Sequence, residues 1–220
     1  MTVIAIDGPS GSGKSTVARA VAAELGLEVL DTGAMYRTVT LAALEAGIEP
    51  TDAAAVATLA HSLDLRISAD VLLDGRDVSV PIRGPDVTAA VSTVSAHPQV
   101  RRELVARQRR WVDERGGGVV EGRDIGTVVF PDAIVKAYLD ASGEERARRR
   151  ERDERVAARP TAVADVEAAM TRRDRLDSER ETSPLRAADD AMMINTTDRS
   201  VADITEEIVS RYRAMMKGRS

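Results

Sequence analysis

An eight-residue segment near the start of the chain has the residue types and spacing of a phosphate-binding loop. The segment Gly8–Ser15, GPSGSGKS, matches G-x-x-x-x-G-K-[ST] at each fixed position. Its glycines allow a tight turn in which backbone N–H groups converge on phosphate oxygens at the start of a helix. Lys14 would reach the β- and γ-phosphates of a nucleotide, and the Ser15 hydroxyl would coordinate Mg²⁺. The segment therefore predicts a magnesium–nucleotide site.

Regular elements on both sides of this loop would hold it in place. The β-branched run Val3–Ile6 predicts a buried strand, and apolar residues at three- and four-residue intervals predict a helix over Lys14–Leu25. The chain then repeats this order, with a strand over Leu27–Leu30 and a helix over about residues 34–46. Alternating strands and helices favour the α/β class, a parallel sheet with helices on its faces.

The middle of the chain departs from this alternation. Two short strand candidates, Leu63–Ile67 and Val71–Leu73, are followed by the hairpin signal Asp74-Gly75. We therefore interpret about residues 51–82 as an insertion within one domain that spans residues 1–220. The later elements are predicted helices over 87–94 and 100–112, strands over Val119–Glu121, Lys136–Asp140 and Met192–Asn195, and a closing helix through Ile204, Ile208 and Tyr212.

A densely charged segment over residues 144–159 contains seven arginines interleaved with acidic residues. Its composition is typical of a helix on which most arginines are solvated and paired with neighbouring acids. One or two arginines are expected to close over the phosphates of the nucleotide as a lid over about residues 146–160, and the candidates are Arg148 and Arg152.

The composition excludes several classes of function. Acidic residues outnumber basic ones, 36 to 31, and the net charge of −5 argues against a nucleic-acid partner. The absence of cysteine excludes disulfides, a cysteine nucleophile and cysteine-ligated metals. No apolar run approaches the roughly 20 residues that cross a bilayer, and the start lacks a secretory signal, so we expect a cytoplasmic protein with no membrane partner.

A phosphate-binding loop alone does not distinguish a GTPase, an ATPase and a small-molecule kinase. The N-K-x-D motif of switch GTPases is absent, since the one asparagine, Asn195, is followed by threonine. The chain is also short for a motor ATPase. A kinase with a second, anionic substrate remains, and the many arginines suit such a substrate.

Three further segments resemble those of bacterial cytidylate kinases. They are Asp31–Arg37 (DTGAMYR), Glu121–Pro131 (EGRDIGTVVFP) and Arg172–Leu185 (RRDRLDSERETSPL). Their order and spacing match from about Val3 to Ile208. The resemblance implies a P-loop nucleoside monophosphate kinase fold, a parallel sheet flanked by helices, in which the insertion binds the monophosphate and a short lid follows. It also implies transfer of the γ-phosphoryl group of ATP to CMP or dCMP. We expect Mg²⁺ as the cofactor and a monomeric enzyme.

The resemblance, together with the loop, assigns site residues. The predicted ATP-binding residues are Gly8, Pro9, Ser10, Gly11, Ser12, Gly13, Lys14, Ser15 and Thr16, with Arg148 and Arg152 from the lid. The residues expected to bind the monophosphate are Thr32, Tyr36 and Arg37, and those expected at the cytosine edge are Ser92, Arg101 and Asp124. The residues expected to hold phosphate or close the site are Arg123, Arg173 and Arg180, with Asp177 near the ribose. The predicted catalytic set is Lys14, Arg123, Asp124, Arg173 and Arg180.

The chemistry of cytosine agrees with this assignment. Cytosine presents an N4 amine donor beside the N3 and O2 acceptors, whereas uracil presents an O4 acceptor, so a carboxylate with a guanidinium separates the two bases. Asp124 and Arg101 have these side chains. Two positions depart from some relatives: Thr32 replaces serine and keeps the hydroxyl, and Glu121 replaces aspartate with one more methylene.

Two alternatives stay open at this point. One is a related kinase that acts on UMP, shikimate or another acceptor. The other is a nucleotide-binding regulator without turnover. The remaining isolated side chains carry no clear chemistry: His61 and His97 have no metal-ligand spacing, and Trp111 and Phe130 are expected to be packing residues.

Overall fold

The strands and helices follow the predicted alternation. The computed structural model describes residues 2–68, 70–156, 163–180 and 182–218, without the side chains of residues 150, 153–156 and 163–169. The strands among these residues are β1 Thr2–Asp7, β2 Val29–Asp31, β3 Leu65–Ile67, β4 Val71–Leu73, β5 Arg76–Asp77, β6 Gly117–Gly122, β7 Val135–Asp140 and β8 Met192–Asn195. The α-helices are α1 Lys14–Leu25, α2 Thr32–Glu45, α3 Ala53–Ser62, α4 Pro85–Ala96, α5 Pro98–Arg115, α6 Gly143–Val156, α7 Val163–Ser178 and α8 Val201–Lys217.

Two short helices of other types complete the described elements. A 3₁₀ helix spans Pro81–Arg83 and a π-helix spans Ile125–Val129. The chain divides into two compact units: unit 1 contains Val29–Gly116, and unit 2 contains Thr2–Glu28 with Gly117–Ser220.

Unit 2 contains a parallel sheet in which β6, β1, β7 and β8 lie side by side in that order. Ile4 pairs with Val119 on one side and Val135 on the other, and it is completely buried. Strands buried on both faces need such continuous apolar runs. Helices α1 and α8 pack against each other, and Ile208 of α8 is completely buried. The carboxyl ends of these strands therefore form one edge that can carry polar residues.

Unit 1 is mostly helical. Helix α2 packs on α4, and α3 packs on α5, with Val39 and Leu104 completely buried. Asp31 caps α2 by accepting the Ala34 N–H at 2.9 Å. Strands β3, β4 and β5 form a small antiparallel sheet, with the predicted turn at Asp74-Gly75 between β4 and β5.

The structure confirms the predicted parallel strands and the helices that alternate with them. Helix α1 and strand β8 have the predicted bounds. Helices α3 and α7 and the π-helix were not predicted. Part of the expected lid, residues 157–160, lies outside the described residues. No helix in the described part of the chain has both the length and the apolar character needed to cross a membrane.

Candidate active site

The phosphate-binding loop joins the carboxyl end of β1 to the first turn of α1, as its motif predicts. Gly8 lies so close to β7 that a Cβ atom there would be 2.0 Å from the Leu139 carbonyl oxygen. Gly13 caps α1 with a φ of 90°, a left-handed conformation that favours glycine. The loop therefore needs glycine at both fixed positions, and it presents the N-terminus of α1 to an anion.

Lys14 is buried at the start of α1. Its Nζ donates a hydrogen bond to the Pro9 carbonyl oxygen at 2.6 Å. The pKa of Lys14 is lowered to about 7, mainly by burial and also by the positive charge of Arg123, whereas Glu121 opposes the change. The ammonium group is thus short of negative charge, and a phosphate beside it would favour the protonated form.

Ser15 and Glu121 bring two oxygen ligands together. The Ser15 hydroxyl donates to Glu121 Oε2 at 2.9 Å, and Glu121 is buried in β6. Hydroxyl and carboxylate oxygens suit Mg²⁺, which proteins hold with few side chains and the oxygens of a bound phosphate. In the described ranges no group of three or more His, Cys, Asp or Glu could hold a metal by itself. The donor set therefore fits a Mg²⁺ ion that arrives with a nucleotide.

Three predicted arginines surround one carboxylate in unit 2. Asp177, near the end of α7, is only 3% exposed. Its Oδ2 accepts from Arg123 Nε at 3.2 Å, and its Oδ1 pairs with Arg180 at 2.9 Å. Arg173 Nε lies 4.0 Å from Oδ2. These four side chains carry three positive charges and one negative charge, so the cluster suits a phosphate group.

Unit 1 carries the other predicted acceptor residues on helices. Arg37 of α2 donates to the Ile82 carbonyl oxygen at 3.1 Å and to the Thr88 hydroxyl at 3.0 Å. The guanidinium of Arg101, on α5, lies 5.5 Å from the centre of the Tyr36 ring, within the range of a cation–π contact. Unit 1 thus brings Tyr36 and Arg101 together. The remaining predicted side chains here, all buried, are Thr32 and Ser92.

Comparison with known proteins identifies the family of the chain. A family model described as cytidylate kinase matches residues 4–214 of the chain. The chain belongs to the cytidylate kinase family. A cytidylate kinase of Corynebacterium efficiens is 51% identical over 217 residues, which cover 96% of this chain and 94% of that protein. A cytidylate kinase of Mycobacterium avium is 51% identical over 229 residues, which cover 99% and 96%.

A solved structure outside the family shares the fold. The crystal structure of a gluconokinase from Sinorhizobium meliloti 1021 superposes with a TM-score of 0.52 and 14% identity, covering 99% of this chain and 94% of that one. At this identity the likeness concerns the fold alone. With the parallel sheet and the loop at its edge, it agrees with the P-loop kinase fold expected of a cytidylate kinase family member.

Helix α6 of this cytidylate kinase family member is linked to the loop by two arginines that the sequence did not single out, directly by Arg146 and through Thr196 by Arg149. Arg146 donates to the Ser10 carbonyl oxygen at 3.1 Å and pairs with Asp174. Arg149 donates to the hydroxyl of Thr196 at 2.9 Å and to its carbonyl oxygen at 2.8 Å. Arg146 and Arg149 are three residues apart on one helix face, which is a signal the sequence does contain.

Two polar residues complete these contacts. Asp174 of α7 accepts the Ser10 N–H at 3.1 Å, and the Thr196 hydroxyl donates to the Ser12 carbonyl oxygen at 3.1 Å. Both residues are more than 160 positions from the loop, so no local pattern reveals them. The predicted lid residues lie elsewhere on α6: Arg148 pairs with Glu144 and is 63% exposed, and Arg152 is exposed.

The isolated aromatic and histidine residues of unit 1 make local contacts. His61 is exposed beside Glu103, and His97 Nε2 lies 2.7 Å from the Pro50 carbonyl oxygen. The guanidinium of Arg115 lies 4.3 Å from the centre of the Trp111 ring. These contacts agree with the expected structural or surface roles.

Proposed function

We propose that this cytidylate kinase family member transfers the γ-phosphoryl group of ATP to CMP or dCMP, giving ADP and CDP or dCDP. The observation that carries the proposal is a complete phosphate-binding loop in the same unit as three arginines around Asp177. The loop accounts for a nucleotide donor. The arginines account for an anionic acceptor, and family membership supports cytidine as its base.

On the donor side, the loop backbone and Lys14 would bind the ATP phosphates. Ser15 would hold Mg²⁺, and Glu121, which accepts from the Ser15 hydroxyl, would assist it. When bound, Mg²⁺ neutralises charge on the transferred phosphoryl group. Arg146 and Arg149 would support the loop from α6. ATP contacts by Arg148 and Arg152 are also proposed, from their place in the expected lid.

On the acceptor side, Arg37 would bind the CMP phosphate, with Thr32 and Tyr36 beside it. The other residues proposed to bind the nucleotide are Ser92, Arg101 and Asp124 at the base, Arg123, Arg173 and Arg180 at the phosphates, and Asp177 near the ribose. A carboxylate at the cytosine N4 amine would disfavour uracil, whose O4 would meet it as a second acceptor.

The chemistry does not require a strong general base. The second ionisation of a phosphate monoester lies near pH 6, so the attacking CMP oxygen is already largely ionised at neutral pH. Catalysis then depends on alignment of the two nucleotides and on neutralisation of phosphate charge. Lys14, Arg123, Arg173 and Arg180 supply that charge, and Asp124 orients the base.

Several finer assignments belong to the same proposal. The insertion of about residues 51–82, inside unit 1, would form the monophosphate-binding subdomain, and about residues 146–160 would form the lid. We propose a cytoplasmic monomer whose partners are ATP and CMP or dCMP, without nucleic acid or membrane. The acidic net charge of −5 supports the exclusion of nucleic acid.

Measuring ADP release with different acceptors tests the proposal. Purified protein with Mg-ATP is given CMP, dCMP, UMP and shikimate in turn, and we expect rapid turnover with the two cytidine nucleotides. A nucleotide-binding regulator would show no ADP release that depends on CMP. Rapid conversion of UMP or shikimate with cytidine nucleotides untouched would contradict the assigned acceptor. Lys14→Ala is the control for contaminating kinases.

A further inference from the structure

Asp7 joins two parts of unit 2 that are far apart in sequence. It is the last residue of β1 and directly precedes Gly8 of the phosphate-binding loop. Its two carboxylate oxygens accept one backbone N–H each, from Ile125 at 2.8 Å and from Gly126 at 2.7 Å. These two residues begin the π-helix and directly follow Asp124. The phosphate-binding motif does not include Asp7, and the proposed function gives it no task.

Burying a carboxylate to accept two N–H groups costs free energy, because the charged group loses its contact with water. Asp7 is only 5% exposed. Its pKa is raised to about 6, mainly by burial and also by the negative charge of Asp124, whereas the two N–H bonds and Lys14 lower it. The first N–H groups of a helix have no partner within the helix, so some acceptor is needed here. A neutral acceptor would serve a purely structural cap at lower cost.

The contact fixes the backbone beside Asp124. The peptide group that contains the Ile125 N–H is also the one that sets ψ of Asp124, which is 26° with φ at −144°. On the other side, β6 ends at Gly122, which is paired with Asp7 in the parallel sheet. The segment Arg123-Asp124 is therefore held at both ends, by the sheet before it and by the Asp7 carboxylate after it.

We propose that Asp7 is a positioning residue for the acceptor base. Its carboxylate holds the N–H groups of Ile125 and Gly126 and so sets the direction in which Asp124 points, at a fixed place relative to the phosphate-binding loop. The proposal rests on the proposed function, because it uses Asp124 as the group that reads cytosine. Asp7 itself touches neither nucleotide; it acts through Asp124.

Asp7→Asn is the most informative variant. Asparagine has the same shape and removes a buried charge, but its NH₂ group faces one of the two N–H donors and cannot accept from it. We expect kcat/KM for CMP to fall by about 10- to 100-fold, because small displacements of an orienting group have effects of this size. The KM for ATP should change less than threefold, and the preference for CMP over UMP should fall. Asp7→Glu should not restore the preference for CMP over UMP, since the longer side chain cannot place its carboxylate oxygens at both N–H groups.

A matched control is available on the neighbouring strand. Asp140 ends β7, as Asp7 ends β1, and its Oδ1 accepts the Ala141 N–H at 2.8 Å. Asp140→Asn removes a carboxylate charge at the same edge of the sheet but not beside Asp124, and its amide oxygen can still accept the Ala141 N–H. We expect this variant to keep the preference for CMP over UMP. The thermal midpoint of each variant, measured alongside, separates selectivity from loss of folded protein.

Three outcomes decide the proposal. A loss of CMP preference in Asp7→Asn with an unchanged or raised thermal midpoint supports it. Equal losses for CMP, UMP and ATP, or no loss, overturn it and leave Asp7 as a cap. If the wild-type protein does not phosphorylate CMP, the proposed function fails. The hold of the Asp7 carboxylate on the Ile125 and Gly126 N–H groups is then tested by amide hydrogen exchange, and both amides must exchange at least tenfold faster in Asp7→Ala than in the wild type. Unchanged exchange would show that Asp7 does not hold these two N–H groups in place.

Discussion

Units 1 and 2 hold their candidate binding residues by different means. In unit 1, Tyr36, Arg37 and Arg101 project from helices α2 and α5, whose own apolar faces form the core. In unit 2, the candidate residues lie in the phosphate-binding loop, at strand ends, and on or just after helix α7. Polar contacts between distant parts of the chain hold them there, such as Ser15 with Glu121.

Because of this difference, we expect substitutions in unit 1 to weaken ligand binding and substitutions in unit 2 to lower the catalytic rate. Arg37 and Arg101 are buried and also donate hydrogen bonds within unit 1. The apolar faces of α2 and α5 nevertheless keep these helices in place, so a unit 1 variant should mainly lose the contact with its ligand. A polar network at strand ends has several members that fix one another. A unit 2 variant should therefore disturb the alignment of reacting groups and lower kcat.

The largest effect is expected at Lys14. Lys14→Ala removes the ammonium group that would neutralise the transferred phosphoryl group, and kcat should fall by about 10³-fold or more. Single-turnover measurement of ADP release separates this from weaker ATP binding. Lys217→Ala, at the exposed end of α8, is the control and should behave as wild type. A loss confined to the KM for CMP would break the proposed division between the units.

The next effect is expected at Asp177. Asp177→Asn leaves Arg123 and Arg180 without their shared carboxylate, and loss of one partner from a buried ion pair costs about 3–5 kcal/mol of folding stability. The rate should fall too, since the guanidinium groups lose their alignment. Urea unfolding and steady-state kinetics measure the two effects.

The same helix offers the control for Asp177. Glu179 pairs with Arg175 at 2.8 Å, but both side chains are largely exposed. Exposed pairs of this kind contribute little, so Glu179→Gln should leave stability and rate nearly unchanged. Equal behaviour of Asp177→Asn and Glu179→Gln would show that the arginine cluster does not depend on its carboxylate.

Asp7 predicts a pH dependence of stability. Its pKa rises from 3.8 to about 6 on folding, so between these values the folded protein binds the proton more tightly than the unfolded chain. Stability should therefore fall as pH rises from 4 to 6, by about 3 kcal/mol in total, and level off above that range. In Asp7→Asn the fall in stability between pH 4 and pH 6 should disappear. Asp124 and Lys14, the charged groups that face Asp7, are still present in this variant, so the difference reports on Asp7 itself. Urea unfolding of both proteins from pH 4 to pH 8 tests the difference; parallel profiles would contradict it.

The unit 1 prediction concerns Arg37, the residue proposed to bind the CMP phosphate. Arg37→Ala should raise the KM for CMP by about 10- to 100-fold, the size of a lost hydrogen bond to a charged group, and the KM for ATP much less. Arg66→Ala is the control in the same unit, because Arg66 is exposed and pairs with Asp64. If Arg37→Ala raises both KM values equally, the placement of the acceptor phosphate is wrong.

Sequence patterns reveal those elements whose burial is regular. Strand β1 is a continuous apolar run and α1 has apolar residues at helical intervals, so both are visible without the structure. Periodicity does not predict helix α3, because its core positions, Val56 and Ala60, stand among many alanines and its two faces therefore differ little in hydrophobicity. The π-helix escapes because its first N–H groups are held by Asp7, 118 residues earlier.

The candidate site divides in the same way. The loop is recognisable because each of its residues lies within one short motif. Asp174 and Thr196 contact the loop only through folding, and single-residue patterns cannot show such contacts. Resemblance to a family recovered Asp177 and its arginines, whose convergence no spacing rule would give.

The smallest effect separates two neighbouring arginines of α6. Arg149 donates to both oxygens of Thr196, whose hydroxyl contacts the loop at Ser12, whereas Arg148 pairs with Glu144 in solvent. Arg149→Ala should therefore raise the KM for ATP by about 3- to 10-fold, the value of one typical hydrogen bond, and Arg148→Ala, whose proposed ATP contact comes from an exposed side chain, should raise it less. Because the two substitutions remove the same side chain from adjacent positions, net charge and helix propensity are matched. If Arg148→Ala has the larger effect, the lid reaches ATP through its exposed face, and the support that α6 gives to the loop is not what binds the donor.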